Sequence, residues 1–118
     1  YCDYSVQTLD DLGPEPACPV CMKRLRPAVV WFGEPLPEDA LSAAFAAAAR
    51  CDVMLVIGTS GVVQPAASLV ELSHYNGTRV IEINPNVTEL SHLAQVCLRG
   101  GCRDTLVALD AAWQALIA

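Results

Sequence analysis

The sequence predicts an α/β fold in which a parallel sheet carries helices on both faces. Three short apolar runs indicate buried strands, at Ala28–Phe32, Val53–Ile57 and Arg79–Ile83. Helix-like stretches separate them, and such alternation is typical of parallel sheets, whose strands are apolar throughout. The chain has 118 residues, of which 53% are hydrophobic. It is therefore long enough for one domain with a core of its own.

The first two helices have clear start and stop signals. The helix predicted at Glu38–Arg50 has acidic residues in its first turn and an arginine at its end, as the helix dipole favours. Pro65 is well placed as the first residue of a second helix that runs to Tyr75. The pair Asn76-Gly77 would close that helix.

The elements of the C-terminal third are shorter. After the strand Arg79–Ile83 we predict a weakly defined helix at Thr88–His92 and a strand at Gln95–Leu98. The final helix is predicted at Thr105–Ile117, with Asp104 as its N-cap. This order again alternates strand with helix.

Composition excludes several classes of partner. A net charge of -6 argues against nucleic acid or an anionic membrane as the main partner. No apolar run approaches the roughly 20 residues of a membrane span, and Tyr1 is not followed by a signal peptide with a basic start. The six cysteines are not spaced as a disulfide framework, which favours a reducing cytoplasm.

Residues 1–24 form an irregular segment with three clustered cysteines, and we predict a partial zinc-binding module there. Cys18 and Cys21 form a CxxC, and Cys2 precedes it with 15 residues between. A zinc ribbon has the spacing C-x2-C-x15–20-C-x2-C, so Cys2 is interpreted as the second member of a pair whose partner precedes Tyr1. The alternative is a redox CxxC, which needs a helix start after a strand. The loop-like surroundings favour zinc.

Polar and small residues follow the predicted strands. In an open parallel sheet, ligands bind beyond the carboxyl ends of the strands. Any one such loop taken alone is better explained as turn chemistry, but four loops in register favour a binding site, with hydroxyls and amides for ribose or phosphate. No GxGxxG motif points to a dinucleotide. The strand ends read Phe32-Gly33-Glu34, Gly58-Thr59-Ser60-Gly61, Asn84-Pro85-Asn86 and Arg99-Gly100-Gly101-Cys102.

The combination of motifs closely resembles the C-terminal half of the sirtuins, which are NAD-dependent protein-lysine deacylases. The motifs are Leu25-Arg26-Pro27, Val29-Val30-Trp31-Phe32-Gly33-Glu34, Gly58-Thr59-Ser60, Val63-Gln64-Pro65-Ala66-Ala67 and Ile83-Asn84. The resemblance implies that residues 25–118 are the C-terminal part of a Rossmann-like NAD-binding domain and that the cysteines hold a structural zinc. The implied NAD-binding residues are Gly58, Thr59, Ser60, Asn84, Cys102 and Arg103.

The resemblance also implies a site for acylated-lysine peptides. The backbone of Val30 would take the lysine amide, and Phe32 would line a hydrophobic tunnel. The substrate would add as a strand, so that main-chain bonds give affinity with little demand on sequence. The residues expected to face this strand are Gly33, Glu34, Gly61 and Val62.

Two positions depart from the family pattern. Gln64 stands where an aromatic residue often precedes Pro-Ala-Ala, and Gly61 stands where many members have leucine. Gly61 together with the segment Val30–Glu34 looks most like the bacterial branch related to desuccinylating sirtuins. The preference among acyl chains stays open.

The catalytic histidine of the family lies in a His-Gly motif, and neither His74 nor His92 stands in one. We therefore assign no catalytic residue within the 118 residues. The complete protein is predicted to be an NAD-dependent deacylase, and the isolated chain is predicted to be inactive. Two alternatives remain: a non-catalytic nucleotide-binding domain, and a zinc-ribbon interaction module with an appended α/β body.

Overall fold

The structure is a computed structural model that describes residues 2–118. The chain divides into two compact units, Tyr1–Leu36 and Pro37–Ala118, and Tyr1 lies outside the described residues. The predicted division into residues 1–24 and 25–118 stays a prediction about domains. No helix among the described residues is long and apolar enough to cross a membrane.

The second unit alternates helices with short strands. Its helices are α1, α2 and α3, separated by strands β1, β2 and β3, with one 3-10 turn before β3. Most of these elements lie within a few residues of their predicted positions. The bounds are α1 Glu38–Ala48, β1 Val53–Ile57, α2 Ala66–Tyr75, β2 Arg79–Ile83, the 3-10 turn Ser91–Leu93, β3 Val96–Leu98 and α3 Cys102–Ile117.

The three strands form a parallel sheet in the order β1-β2-β3. Val53 of β1 lies beside Arg79 of β2, and Ile83 lies beside Leu98 of β3. All three strands therefore end at the same edge, because parallel strands run in one direction. A parallel sheet with associated helices confirms the predicted α/β class.

The core of this unit lies between α2 and one face of the sheet. Small residues of α2 let the helix approach the strands closely, and aliphatic side chains from the strands and the 3-10 region fill the space. The cluster consists of Val56, Ala67, Val70, Val80, Leu90 and Leu93. The Ser73 hydroxyl of α2 donates a hydrogen bond of 2.9 Å to the Ala48 carbonyl at the end of α1, so the two helices are also joined by a buried polar contact.

The opposite face of β1 is open within the described chain. The solvent-exposed fractions of Val53, Leu55 and Ile57 are 48%, 44% and 37%. No residue of α3 is buried, although Trp113 and Leu116 are large apolar side chains on it. The apolar surface of this unit is therefore only partly covered by the residues described.

The prediction of a buried strand at Ala28–Phe32 is wrong. Within residues 2–118 this segment pairs with no strand. Side chains pair with two of the backbone groups that would otherwise be free to bond to a neighbouring strand. Arg26 donates to the carbonyl of Val29, and the N–H of Trp31 donates to the carboxylate of Glu34. The side chains are exposed as well, with Phe32 at 96%.

A smaller correction concerns the last helix. The final helix begins at Cys102 with Gly101 as its N-cap, so Asp104 lies inside the first turn instead of capping it.

His74, near the end of α2, is half-buried, and its Nδ1 lies 3.0 Å from the carbonyl oxygen of Leu93. Because a carbonyl only accepts, Nδ1 carries the proton.

Candidate functional site

A cavity of about 530 Å³ opens at the carboxyl ends of β1 and β2. This is the place where parallel sheets bind ligands, and it is where the sequence predicted the nucleotide. Five of the predicted residues line it, and four further residues from the loop after β2 complete the wall. The lining residues are Gly58, Thr59, Ser60, Val62, Asn84, Asn86, Val87, Thr88 and Glu89.

Backbone bonds hold the two loops of this cavity in place. The N–H of Gly58 donates to the carbonyl of Ile83 at 3.0 Å, which extends the ladder past the end of β1. Gly58 has a φ of 63°, a conformation that glycine adopts without the penalty of a side chain. The loop after β1 therefore turns away at once and leaves its backbone bare to the cavity.

Asn84 joins the two loops. It is 8% exposed, and its Nδ2 donates to the carbonyl of Thr59 at 2.9 Å. Its Oδ1 accepts a hydrogen bond of 3.0 Å from the N–H of Asn86. Asn84 thus shapes the cavity as well as lining it.

The hydroxyls of the loop after β1 differ in their availability. Thr59 Oγ1 accepts the N–H of Gly61 at 3.2 Å. The hydroxyl of Ser60 has no hydrogen-bond partner among the described residues. Ser60 therefore presents a free donor and acceptor to a ligand in this cavity.

Gly61, which was predicted to face the substrate, is buried next to the side chain of Leu90. A Cβ on Gly61 would lie 2.5 Å from Leu90 Cγ, and the φ of 76° is unfavourable for any other residue. Its role as a residue exposed to a peptide stays a prediction, while Val62 beside it lines the cavity.

Cys102 and Arg103, both in the described part of the chain, lie outside the lining of this cavity. They open α3, and both are exposed. Their predicted contact with the adenine ring stays a prediction. The sequence analysis named Asn86 among the strand-end residues but missed Val87, Thr88 and Glu89, which follow it in the same loop and also line the cavity.

In the first unit, Arg26 and Glu34 lie on either side of the segment predicted to bind the acyl-lysine, and their side chains bond to each other. Two parallel contacts of 2.7 and 2.9 Å join the guanidinium to the carboxylate, and the N–H of Trp31 donates to the same carboxylate at 3.0 Å. Arg26 also lies 5.9 Å from the centre of the Trp31 ring. The guanidinium of Arg26, with the Trp31 N–H, lowers the pKa of Glu34 to about 2.

The residues between Arg26 and Glu34 include backbone groups that make no hydrogen bond within the described chain. The N–H and C=O groups of Val30 have no hydrogen-bond partner among the described residues. Phe32 projects into solvent, and Gly33 follows it in the turn with a φ of 88°. The carboxylate of Glu34 is committed to Arg26 and Trp31. Glu34 therefore acts within the loop, while Val30 and Phe32 stay available.

Cys2, Cys18 and Cys21 come together as a cluster whose sulfur atoms all lie within 4.8 Å of one another. The Sγ atoms of Cys2 and Cys18 are 3.5 Å apart. Zinc–sulfur bonds of about 2.3 Å in a tetrahedron require sulfur atoms at a spacing of this kind. The cluster therefore fits three ligands of a structural zinc site.

A tight turn presents these sulfurs. The N–H of Cys18 donates to the carbonyl of Lys23, and the N–H of Met22 donates back to the carbonyl of Cys18. Hydrogen bonds from the backbone N–H of Cys21 and, to a smaller extent, of Val20 lower the pKa of the Cys18 thiol to about 7, although burial alone would raise it. No helix follows this CxxC before residue 38, so the redox alternative lacks the helix start that it needs.

Comparison with known proteins connects both units to one family. Residues 2–65 match the model of the Sir2 family. NAD-dependent protein deacylase 1 of Pseudomonas aeruginosa is 50% identical over 91 residues, which cover 77% of this chain and 36% of that protein. The NAD-dependent protein deacylase of Thermococcus kodakarensis is 52% identical over 85 residues, covering 72% of this chain and 33% of that protein.

Solved structures agree with these sequence matches. A Sir2 homologue in complex with NAD superposes with a TM-score of 0.87 and 41% identity, over 98% of this chain and 45% of that one. A complex of Sir2 with a p53 peptide and NAD+ gives a TM-score of 0.75 and 31% identity, over 88% and 42%. This chain spans less than half the length of these relatives. With the family model matching more than half of its residues, the chain belongs to the Sir2 family.

Proposed function

We propose that this chain supplies NAD contacts and acyl-peptide contacts to an NAD-dependent protein-lysine deacylase. One observation carries the proposal: Gly58, Thr59, Ser60 and Asn84, from two separate loops, meet around one cavity at the carboxyl edge of the sheet. The relatives from Pseudomonas aeruginosa and Thermococcus kodakarensis are named NAD-dependent protein deacylases, which supports the same activity here.

The residues around the cavity fit one half of NAD. The free hydroxyl of Ser60 and the amide of Asn84 supply hydrogen-bonding groups for ribose, and the bare backbone at Gly58 allows a phosphate to approach closely. Bound NAD supplies an electrophilic ribose carbon for acyl transfer. The role of this chain is to hold and orient NAD. Holding the reactants in the correct geometry lowers the activation barrier of acyl transfer.

The segment around Val30 fits the acylated peptide. Its unpaired N–H and C=O groups are what an added strand requires. The paired contacts between Arg26 and Glu34 join both ends of this segment, so its backbone has fewer conformations to lose when a peptide binds. Less ordering on binding means less loss of affinity.

We also propose that Cys2, Cys18 and Cys21 bind zinc in a structural role. Structural sites take four ligands, so a fourth ligand completes the set. Zinc there would order a module that has little apolar core of its own, and its contribution would be to folding rather than to chemistry. The spacing of the six cysteines does not form a disulfide framework and is the basis on which we also propose a cytoplasmic location.

Nicotinamide release tests the main proposal. The complete protein should release nicotinamide from NAD only when an acylated peptide is present, and mass spectrometry should detect the deacylated peptide. Binding of NAD without release would favour the non-catalytic nucleotide-binding domain. Zinc binding with no affinity for NAD would favour the zinc-ribbon interaction module. Each of these two results would contradict the deacylase proposal.

A further inference from the structure

A single carboxylate is buried in the middle of the sheet. Glu82 lies in β2 and is 1% exposed, while its strand neighbours Val80 and Ile83 are fully buried. A buried carboxylate is unfavourable unless other groups pair with it. A position between aliphatic residues in an apolar strand therefore requires a specific reason.

Three donors surround this carboxylate. The hydroxyl of Thr88 donates to Oε1, the hydroxyl of Ser91 donates to Oε2 at 2.7 Å, and Arg99 Nη1 lies 2.6 Å from Oε2. Burial by itself would raise the pKa of Glu82, but these three contacts outweigh burial and the pKa lies below its ordinary value. Glu82 is therefore ionised and held in one orientation.

Arg99 carries the contact outward from β3 to the loop after β2. Its Nη1 also donates to the carbonyl of Asn86 at 2.8 Å and to that of Asn84 at 3.3 Å. Its Nη2 donates to the hydroxyl of Ser91 at 3.2 Å. One guanidinium thus binds the loop at several points, which a planar group with five donors does well.

The loop bound in this way is one wall of the candidate site. Asn84, Asn86 and Thr88 all line the cavity, and all three contact Glu82 or Arg99 directly. Asn84 in turn bonds to the carbonyl of Thr59 on the opposite wall. A continuous set of hydrogen bonds therefore runs from the interior of the sheet to both walls.

We propose that Glu82 and Arg99 are positioning residues for the nucleotide site, holding the loop 84–91 in the conformation that receives the ligand. The inference rests on the proposed function, in which this cavity binds NAD. Neither side chain lines the cavity. Their effect is transmitted through the backbone of Asn84 and Asn86 and through the hydroxyl of Thr88.

Arg99→Lys in the complete protein tests this role. Lysine keeps the charge beside Glu82, but a single ammonium group cannot reach all the acceptors that the guanidinium reaches. The dissociation constant for NAD, measured by calorimetry without peptide, should rise about tenfold, which corresponds to the loss of one charge-assisted hydrogen bond. The KM for the acylated peptide should change less than about twofold.

Arg50→Lys is the matched control. Arg50 is exposed just after the end of α1, and its side chain donates to the carbonyl of Ala46 in that helix and to no other described residue, so the same substitution there should leave NAD affinity unchanged. Glu82→Gln should also raise the dissociation constant for NAD, as Arg99→Lys does. If Glu82→Gln fails to fold, Arg99→Lys and Ser91→Ala still carry the test.

Hydrogen exchange separates this inference from the proposed function. In Arg99→Lys, amides of residues 86–91 should exchange faster, while those of β1 and β2 should keep their rates. Unchanged exchange in the loop, or a lower melting temperature with unchanged NAD affinity, would overturn the positioning role. Wild-type protein that does not bind NAD at all would overturn the proposed function and this inference with it. Faster loop exchange in Arg99→Lys together with weaker NAD binding would support both.

Discussion

Asn84 has two roles at once, because it lines the cavity and also fixes it. Its side chain holds the carbonyl of Thr59 and the N–H of Asn86. The sequence predicted Asn84 as a ligand-binding residue from the family resemblance. The contacts that make it a bridge between two loops depend on the register of β1 and β2, which no local pattern reveals.

Asn84→Ala in the complete protein should weaken NAD binding. The substitution removes the amide that we propose binds the ribose, and it removes the hydrogen bond to the carbonyl of Thr59 in the opposite loop. Each of these two hydrogen bonds contributes roughly 0.5–1.5 kcal/mol. We expect the dissociation constant to rise about five- to 150-fold by calorimetry. Asn76→Ala is the control, because Asn76 also donates to a carbonyl, that of Ala49, but is exposed. Equal effects of the two substitutions would contradict the assignment.

Glu34 should stabilise the first unit in a pH-dependent way. Its pKa is about 2 in the folded chain, against an ordinary value of 4.5. A lowered pKa means that the contribution is complete above pH 4.5 and disappears as the pH falls towards 2. Denaturant titrations should therefore show that Glu34→Gln is less stable than wild type at pH 6 and that the difference shrinks at pH 3.

The control for that experiment is Glu15→Gln. Glu15 pairs with Arg24 through a single contact of 2.9 Å between strongly exposed side chains, and such pairs contribute little. It should alter stability only slightly at both values of pH. A difference for Glu34→Gln that stayed constant between pH 6 and pH 3 would show that Glu34 is not held by Arg26 in solution.

Phe32→Ala should impair peptide turnover without destabilising the chain. A packed phenylalanine would lose about 3–5 kcal/mol on truncation, but Phe32 is 96% exposed, and surface changes usually stay within about 0.5 kcal/mol. We expect a higher KM for the acylated peptide and an unchanged melting temperature. Leu9→Ala, in the same unit and equally exposed, should change neither quantity. An unchanged peptide KM for Phe32→Ala would refute the tunnel assignment.

At the scale of elements, the strands of the second unit could be predicted well. Val53–Ile57 and Arg79–Ile83 have the predicted bounds, because each is a short apolar run between strong turn residues. Ala28–Phe32 has the same composition and is not a strand. In this segment the side chains of Arg26 and Glu34 pair with the carbonyl of Val29 and the N–H of Trp31, and no strand pairs with the segment among the described residues. Sequence periodicity does not report such contacts.

The cysteine turn of the first unit gives a prediction about metal. The complete protein should contain about one zinc per chain by elemental analysis, and Cys18→Ser should lose the metal and lower the melting temperature, because structural zinc contributes to folding. Cys97→Ser is the control, since Cys97 is exposed in β3 and lies outside the cluster. Absence of stoichiometric zinc from the wild-type protein would contradict the site.

At the scale of the whole molecule, the chain holds binding loops but no assigned catalytic residue. No histidine lines the cavity of the described chain. The Nδ1 atoms of His74 and His92 lie 3.0 and 2.8 Å from the backbone carbonyls of Leu93 and Glu89. The sequence prediction that neither residue is the general base of the family stays a prediction.

The 118-residue chain alone should release no nicotinamide from NAD in the presence of an acylated peptide. Acyl transfer needs a positioned base and a preorganised environment around the reacting atoms, and we assign no catalytic base within these 118 residues. A coupled nicotinamide assay on purified chain tests this directly. Release that His74→Ala or His92→Ala abolished would show that the base had been placed wrongly.

The close approach of Gly61 to Leu90 limits which residues can occupy these two positions, which lie in different loops. A larger residue at position 61 would strike the side chain of Leu90, and it would also have to adopt an unfavourable φ. We therefore expect a substitution at position 61 to require a smaller or rearranged side chain at position 90 and a rebuilt turn. Among homologues of this chain, residue identities at positions 61 and 90 should covary, although the two lie 29 residues apart.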